Sequence, residues 1–422
     1  MICIITLGIE LLITFLISAI ANTDLTNAEA IVFIIIFGFS YFLMLFSSKK
    51  AKEYRIILLV GFVLRVALLL WDIYGKSIYG LPGSGVDTEN FYNNAIRYAQ
   101  GSVYWKNNAV VFFGILIKLF GKTRILIQFL LMLFSVATAH LVLGTLREIG
   151  ISIASTKKGL WFLVLLPNYA ILSALFLRES IITFLVALSL YVFIKWWYGK
   201  SEVLFWISIL CTLLATVFHS GMIGVAAGYI CIRVLYNHKS QTLKITVTSV
   251  LVIVICIFLF AFLYKNYGTL LFKKMHNIDE LADISSGSGR GNSSYAAIAG
   301  NSSTVLNFII YTPIRILLFL FTPLIFQIRG ISDVIAMVFS AFFYLWTWIR
   351  ILRCNRFPDK NKRLVVALAF VALVTAFIFG WGGTNIGTNI RHRDKIIPIY
   401  IILLAITFDN SLLKRERFRP IQ

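Results

Sequence analysis

Four short stretches carry the residue types that acid–base and anion chemistry require. Asp87-Thr-Glu89-Asn-Phe-Tyr92 offers a pair of carboxylates, and Arg178-Glu179 sets a cation beside an acid. Ser285-Ser-Gly-Ser-Gly-Arg290-Gly-Asn-Ser-Ser-Tyr295 embeds an arginine and a tyrosine in a Gly/Ser run, and Asn385-Ile-Gly-Thr-Asn-Ile-Arg391-His392-Arg393 brings two guanidiniums close together. A carboxylate in partly desolvated surroundings can be tuned to take a proton from a hydroxyl. Paired guanidiniums suit the bidentate grip of a phosphate or diphosphate, and successive Gly and Ser can expose backbone amides to the same group. His219, in Phe-His-Ser-Gly, closes an apolar run.

Each motif also has a plainer reading. Arg178-Glu179 can be a salt bridge capping a helical hairpin, and His219 an interfacial histidine bonded to backbone. The Ser/Gly run can be an ordinary loop, and Arg391-His392-Arg393 a lipid head-group anchor.

The elements that position these residues follow from composition. Of 422 residues, 59% are hydrophobic and 14% charged, more apolar surface than a soluble domain can bury. The expected class is all-α: a polytopic integral membrane protein forming one membrane domain over residues 1–422. The net charge of +21 does not point to nucleic acid, because the cations sit in short gaps between apolar runs and not on one soluble face. The five cysteines form no CxxC pair, so neither disulfides nor a zinc site is indicated. The first apolar run holds Glu10 and is followed by Ala-Asn-Thr-Asp, which reads as a retained signal anchor.

A span needs about 20 mostly apolar residues. Candidates are Ile2 to Ala21, Ala30 to Phe46, Ile56 to Ile73, Ile125 to Gly144, Leu160 to Leu177, Ser180 to Trp197, Val203 to Phe218, Gly221 to Tyr236, Ile245 to Tyr264, Ile331 to Ile349, Leu364 to Gly380 and Ile396 to Phe408. Lys49, Lys50, Lys52 and Arg55 make the second gap cytoplasmic, which places residues 74–124 outside as the first large external loop. Ala109 to Gly121 is short and carries Lys118, so it is expected as a surface helix within that loop. Val305 to Ile328, with Pro313, Pro323 and Arg315, is expected to enter and return. About twelve spans result, with both termini cytoplasmic and residues 265–304 forming a second large external loop. All four motifs then fall on the outer side, although only the cytoplasmic Lys and Arg residues determined the threading.

The order of these segments resembles the GT-C superfamily of polyprenyl-phosphate-dependent membrane glycosyltransferases. The likeness rests on the acidic first loop (Asp87, Glu89, Phe91-Tyr92, Ala95), a surface helix ending Lys-Leu-Phe-Gly, and a second acid opening a later span. Leu-Pro-Asn-Tyr-Ala-Ile-Leu-Ser-Ala-Leu-Phe-Leu-Arg178-Glu179, Gly-Asn-Ser-Ser-Tyr295, the Pro-rich stretch after Thr312 and the Asn385–Arg393 run are similar to Wzy-type, or oligosaccharide-repeat, polymerases of bacterial envelopes. The likeness covers Ile56 to Phe408 in order. It implies a GT-C-like fold in the bacterial cytoplasmic membrane, acting on a polyprenyl-diphosphate-linked glycan in the bilayer, with a chain-length regulator as a further partner.

By that resemblance Asp87 matches the acid of the first loop and Glu179 the second acid, as catalytic candidates. Glu89, Arg178, His219, Arg290, Tyr295, Arg391, His392 and Arg393 are the substrate-binding candidates. The Asp-Glu or Asp-x-Asp pairing of metal-dependent members is not clear here, so no metal and no cofactor are expected. Two other classes stay open: a transferase adding one sugar from a polyprenyl-phosphate donor, and a lipid-linked oligosaccharide flippase. Against the flippase, the long external segments have no partners under a two-fold pseudo-repeat.

Overall fold

The computed structural model describes residues 2–21, 23–102, 107–199, 201–237, 242–243, 305–353, 359–383 and 385–409. The expected span Ile245 to Tyr264, the loop 265–304 with Arg290 and Tyr295, and the basic tail lie outside the described residues. What is described is almost entirely helical, as a chain solvated by lipid must be, because each backbone N–H and C=O has to be bonded within its own segment. A minimal antiparallel strand pair, Tyr236–Asn237 with Thr242–Leu243, is the exception among the described residues.

Seven helices among the described residues are long and apolar enough to cross a membrane, so the chain is a helical membrane protein. They include α1 (Ile2–Leu16), extended by a π turn, α2 (Asn27–Ser47) and α3 (Arg55–Leu70), which runs on through a π turn at Trp71–Gly75. The described chain divides into two compact units, Met1–Leu143 with Thr156–Phe184, and Gly144–Ser155 with Leu185–Gln422.

In the first unit a capping box starts α2: Thr26 accepts from the Glu29 amide at 3.3 Å while the Glu29 carboxylate accepts from the Thr26 amide at 2.7 Å. Phe37 and Tyr41 of α2 pack on Phe62 of α3, and Phe129 packs edge-on against Phe37 and Phe62. The segment that follows α3 holds α4 (Val86–Ala99) and α5 (Asn108–Phe120), packed together as a hairpin. α5 stops at Gly121, whose φ of 84° is a backbone state that side chains resist. The next residues are tied to the α1–α2 connection: Lys122 N–H donates to Asp24 Oδ1 at 3.0 Å, and the Thr123 hydroxyl donates to the Leu25 carbonyl.

After α6 (Arg124–Ile149), the expected span Leu160 to Leu177 is not one helix. α7 (Ile153–Leu165) ends, Leu166 is extended, and Pro167 opens the short α8 (Pro167–Ala174). Proline pushes the preceding residue out of the helical region and suits the first helical position, so the break is local chemistry. Arg65 of α3, fully within the protein, fills the break. It donates to Ser173 Oγ at 2.9 Å, to the Gly61 carbonyl at 3.0 Å and to the Val164 carbonyl at 3.3 Å, one of the last carbonyls of α7. α9 (Glu179–Trp197) follows a non-helical stretch ending at Arg178.

The second unit contains α10 (Glu202–Phe218), α11 (Ile223–Leu235), α12 (Val305–Phe321), α13 (Ile331–Leu352, with a π turn at Ala336–Ala341), α14 (Asp359–Gly382), α15 (Ile386–Asp394) and α16 (Ile397–Phe408). Residues 397–407 of α16 are all buried, and the helix is apolar all round, as a central helix must be. At 12 residues it rises only about 18 Å, short of a bilayer core of about 30 Å. Gly224 and Gly228 of α11 face α14 so closely that a β-carbon there would meet the Thr375 and Val371 backbones at 2.8 and 2.9 Å, a small-residue contact of the kind that joins membrane helices. α12 is one helix with Pro313 inside it, and the chain leaves it at Thr322.

Candidate functional site

In the first unit, an ionic network gathers where α3 ends and α6 begins. Asp72 lies in the π turn, its side chain fully buried. It accepts from Ser84 Oγ at 2.5 Å, Gln128 Nε2 at 3.0 Å and Arg124 Nη2 at 3.5 Å. The Nη1 atom of Arg124 donates to both oxygens of Glu89, at 3.0 and 2.9 Å, and Lys76 Nζ closes the network on Glu89 Oε1 at 2.6 Å. The Arg124 guanidinium also lies over the Tyr92 ring, 5.4 Å from its centre. α4 sets the geometry, for Glu89 and Tyr92 are three residues apart and share one face of the helix.

The network reaches the Arg178-Glu179 turn. Gln128 Nε2 also donates to the Ala174 carbonyl at 2.7 Å, at the end of α8. Arg178 lies over Phe91 of α4, 5.8 Å from the ring centre. Leu172, Leu175 and Leu177 pack with Leu81 and Phe91 beneath it. Glu179 is buried at the first position of α9, where the unsatisfied amides of a helix start favour a carboxylate. The Asp87–Tyr92 and Arg178-Glu179 motifs of the sequence are therefore packed together. Within α4, Asp87 takes an exposed position and Glu89 a half-buried one.

In the second unit, His219 and His392 meet, with Nε2 atoms 2.9 Å apart and the Phe379 ring against both. The Gly221 amide donates to His219 Nδ1 at 3.2 Å. In the neutral pair this leaves the His219 proton on Nε2, donated to His392 Nε2, so that the His392 proton sits on Nδ1.

Arg391 and Arg393 do not form one fork. The run from Asn385 is a helix, capped by the Asn385 side chain accepting from the Thr388 amide at 3.2 Å, and residues two apart on a helix face different ways. Arg393 is fully buried and occupied: Nη1 donates to the carbonyls of Leu320 and Thr322 at 2.7 and 2.8 Å, and Nη2 to Ser340 Oγ at 2.7 Å. It caps the carbonyl end of α12, where orphan acceptors and the helix dipole favour a cation. The diphosphate grip expected of the pair is thus corrected for Arg393. Arg391 is only partly buried.

Asp72, Lys76, Ser84, Arg124 and Gln128 were not singled out from the sequence. Asp72 had a signal, as an acid in the last turn of an apolar run, which is a functional marker by default. Arg124 had none, since a cation opening a span looks like any interfacial anchor.

Neither a family model, nor a curated protein, nor a solved structure matches this chain.

Burial raises the Glu89 carboxyl, but the hydrogen bonds and charges of Lys76 and Arg124 outweigh it and hold the group below its ordinary value. A depressed carboxylate stabilises the fold above its unfolded pKa, and that contribution is lost as pH falls through the folded pKa. Thermal melts of wild type and Glu89→Gln should therefore differ most at neutral pH and converge on acidification below about pH 4. A constant gap down to that pH would show that the Glu89 charge does not hold α4.

Proposed function

We propose that this protein is a membrane glycosyltransferase that polymerises polyprenyl-diphosphate-linked oligosaccharide repeats into envelope polysaccharide at the outer face of the bacterial cytoplasmic membrane. The observation that supports it is the packing of the Arg178-Glu179 turn against α4 and the Asp72–Arg124–Glu89 network, which concentrates acids and cations at one end of the apolar helices of the first unit. The threading that goes with this reading has twelve crossings, both termini cytoplasmic and a GT-C-like arrangement. A chain-length regulator is the expected protein partner.

The chemistry is displacement at an anomeric carbon. A base takes the acceptor hydroxyl proton, the new glycosidic bond forms, and the diphosphate leaves with its electron pair. The sequence alone ranks Asp87 first and Glu179 second as the base; the burial of Glu179 and the exposure of Asp87 favour the opposite order. A diphosphate leaving group needs charge stabilisation more than protonation, which Arg178 is suited to supply; by the sequence resemblance Arg290 and Arg391 remain candidates for donor contacts. His219, His392 and Tyr295 remain candidates for sugar contacts.

A flippase reading is favoured by one observation, the helix broken at Pro167 around the buried Arg65, since transporters bind substrates at such breaks. Deleting the gene and resolving surface glycan on a gel separates the readings. Loss of the ladder with a single repeat retained is the expected result. Cytoplasmic accumulation of lipid-linked repeats would establish the flippase, and loss of one branch sugar a single-sugar transferase.

A further inference from the structure

Arg124 is held from behind and covered in front by groups of different character. Behind it stand Asp72, with a side chain fully shielded from solvent, and Gln128, whose other contact is the Ala174 carbonyl. Asp72 is itself fixed by Ser84 at 2.5 Å. These partners set the guanidinium plane before any ligand arrives. In front, Glu89 and Lys76 have side chains 38% and 35% exposed, so the outer edge of the network is open to water.

The charges decide what that edge can hold. Lys76 and Arg124 balance Asp72 and Glu89, so the closed network is neutral. If Glu89 turns outward, one positive charge is left uncompensated, with Nη1 of Arg124 and the Lys76 ammonium facing the space it vacates while Nη2 stays on Asp72. A phosphate offers the same paired oxygens as a carboxylate, with more negative charge. The Glu89 pairs are solvent-screened and therefore weak, whereas the Asp72 anchor is shielded and stays.

We infer that Glu89 is a displaceable plug on a phosphate-binding site formed by Arg124 and Lys76, and that a lipid-linked diphosphate enters by displacing its carboxylate. This rests on the reading above in taking the ligand to be a polyprenyl diphosphate. Arg124 and Asp72 thereby acquire separate roles: Arg124 contacts the ligand, and Asp72 positions Arg124.

The test is binding, not turnover. The purified full chain in lipid nanodiscs is titrated with geranyl diphosphate and with inorganic pyrophosphate. Glu89→Gln removes the competing charge and keeps the shape, so affinity for geranyl diphosphate should rise about tenfold, equivalent to about 1.4 kcal/mol. Adding Arg124→Lys to that variant should remove the gain, because a single ammonium cannot face the ligand and stay on Asp72 as the guanidinium does through Nη1 and Nη2. Glu53→Gln breaks the comparable Glu53–Lys157 pair elsewhere in the unit and should change nothing.

Geranyl diphosphate binding more tightly than pyrophosphate assigns the site to lipid-linked diphosphate, and equal affinities assign it to the anion alone. Unchanged or weaker binding in Glu89→Gln, or an equal gain in Glu53→Gln, overturns the plug. Failure of the functional reading is seen separately: an intact glycan ladder in the deletion strain removes glycosyl transfer and leaves the affinity change standing.

Discussion

Glu179→Gln should cut glycan elongation by about a hundredfold or more, the usual contribution of a positioned general base, while leaving the protein at its normal level in the membrane. The substitution keeps the shape of a buried side chain and removes only its charge. Folding is expected to tolerate it, because the helix start that favours the carboxylate also offers amides to the glutamine carbonyl. The Glu179 backbone carbonyl, which accepts from Thr183 Oγ1 at 3.0 Å, is untouched. Asp87→Asn, on the exposed side of α4, should have a smaller effect. Elongation is read as ladder length in a deletion strain complemented at matched expression. A wild-type ladder from Glu179→Gln with a short one from Asp87→Asn would transfer the base role to Asp87.

The long apolar helices were legible because hydropathy is a sum over many residues and tolerates local error. Asn27–Ser47 and Arg124–Ile149, for example, coincide with sequence-predicted spans to within a few residues. The break at Pro167 was less legible. Leu160 to Leu177 carries no charge and few polar residues, and the cation that satisfies the broken backbone, Arg65, lies in another helix. Nor does apolarity distinguish a lipid-facing helix from one enclosed by protein. Ile397–Phe408 reads as a span in sequence, and in the structure its apolar surface is covered by neighbouring helices.

The candidate site was legible to the extent that its residues were unusual for their surroundings. Arg178-Glu179 stood out as a charged pair between apolar runs, and His219 and His392, far apart in sequence, meet in space. What sequence could not reveal was pairing. Asp72 and Arg124 come from the end of one helix and the start of another, and only the fold shows that the arginine is held by a buried acid and covered by Glu89. Local sequence also misjudged Arg391 and Arg393. Judged by closeness in sequence they form a fork; wound into a helix they point to different faces.

That geometry yields the second large effect. Arg393→Met should destabilise the second unit severely, because it leaves the Leu320 and Thr322 carbonyls and Ser340 Oγ buried without their donor. Each unsatisfied buried group typically costs about 1–3 kcal/mol, so the combined loss is about 3 kcal/mol or more, enough to lower the amount of protein in the membrane. Arg393→Lys should be milder, since an ammonium retains the charge at the helix end and can reach some of the same carbonyls. Arg391→Met, at a partly buried position, should leave the melting temperature and abundance near wild type. If Arg391 stabilises the leaving diphosphate, that variant should nevertheless lose elongation. Melting of purified variants in detergent, read beside ladder length at matched abundance, separates the two arginines. A normally melting Arg393→Met protein with no ladder would show that this guanidinium serves the donor and not α12. A Lys variant as damaged as the Met one would show that the planar fork is what the helix end requires, because both then fail on geometry and only one on charge.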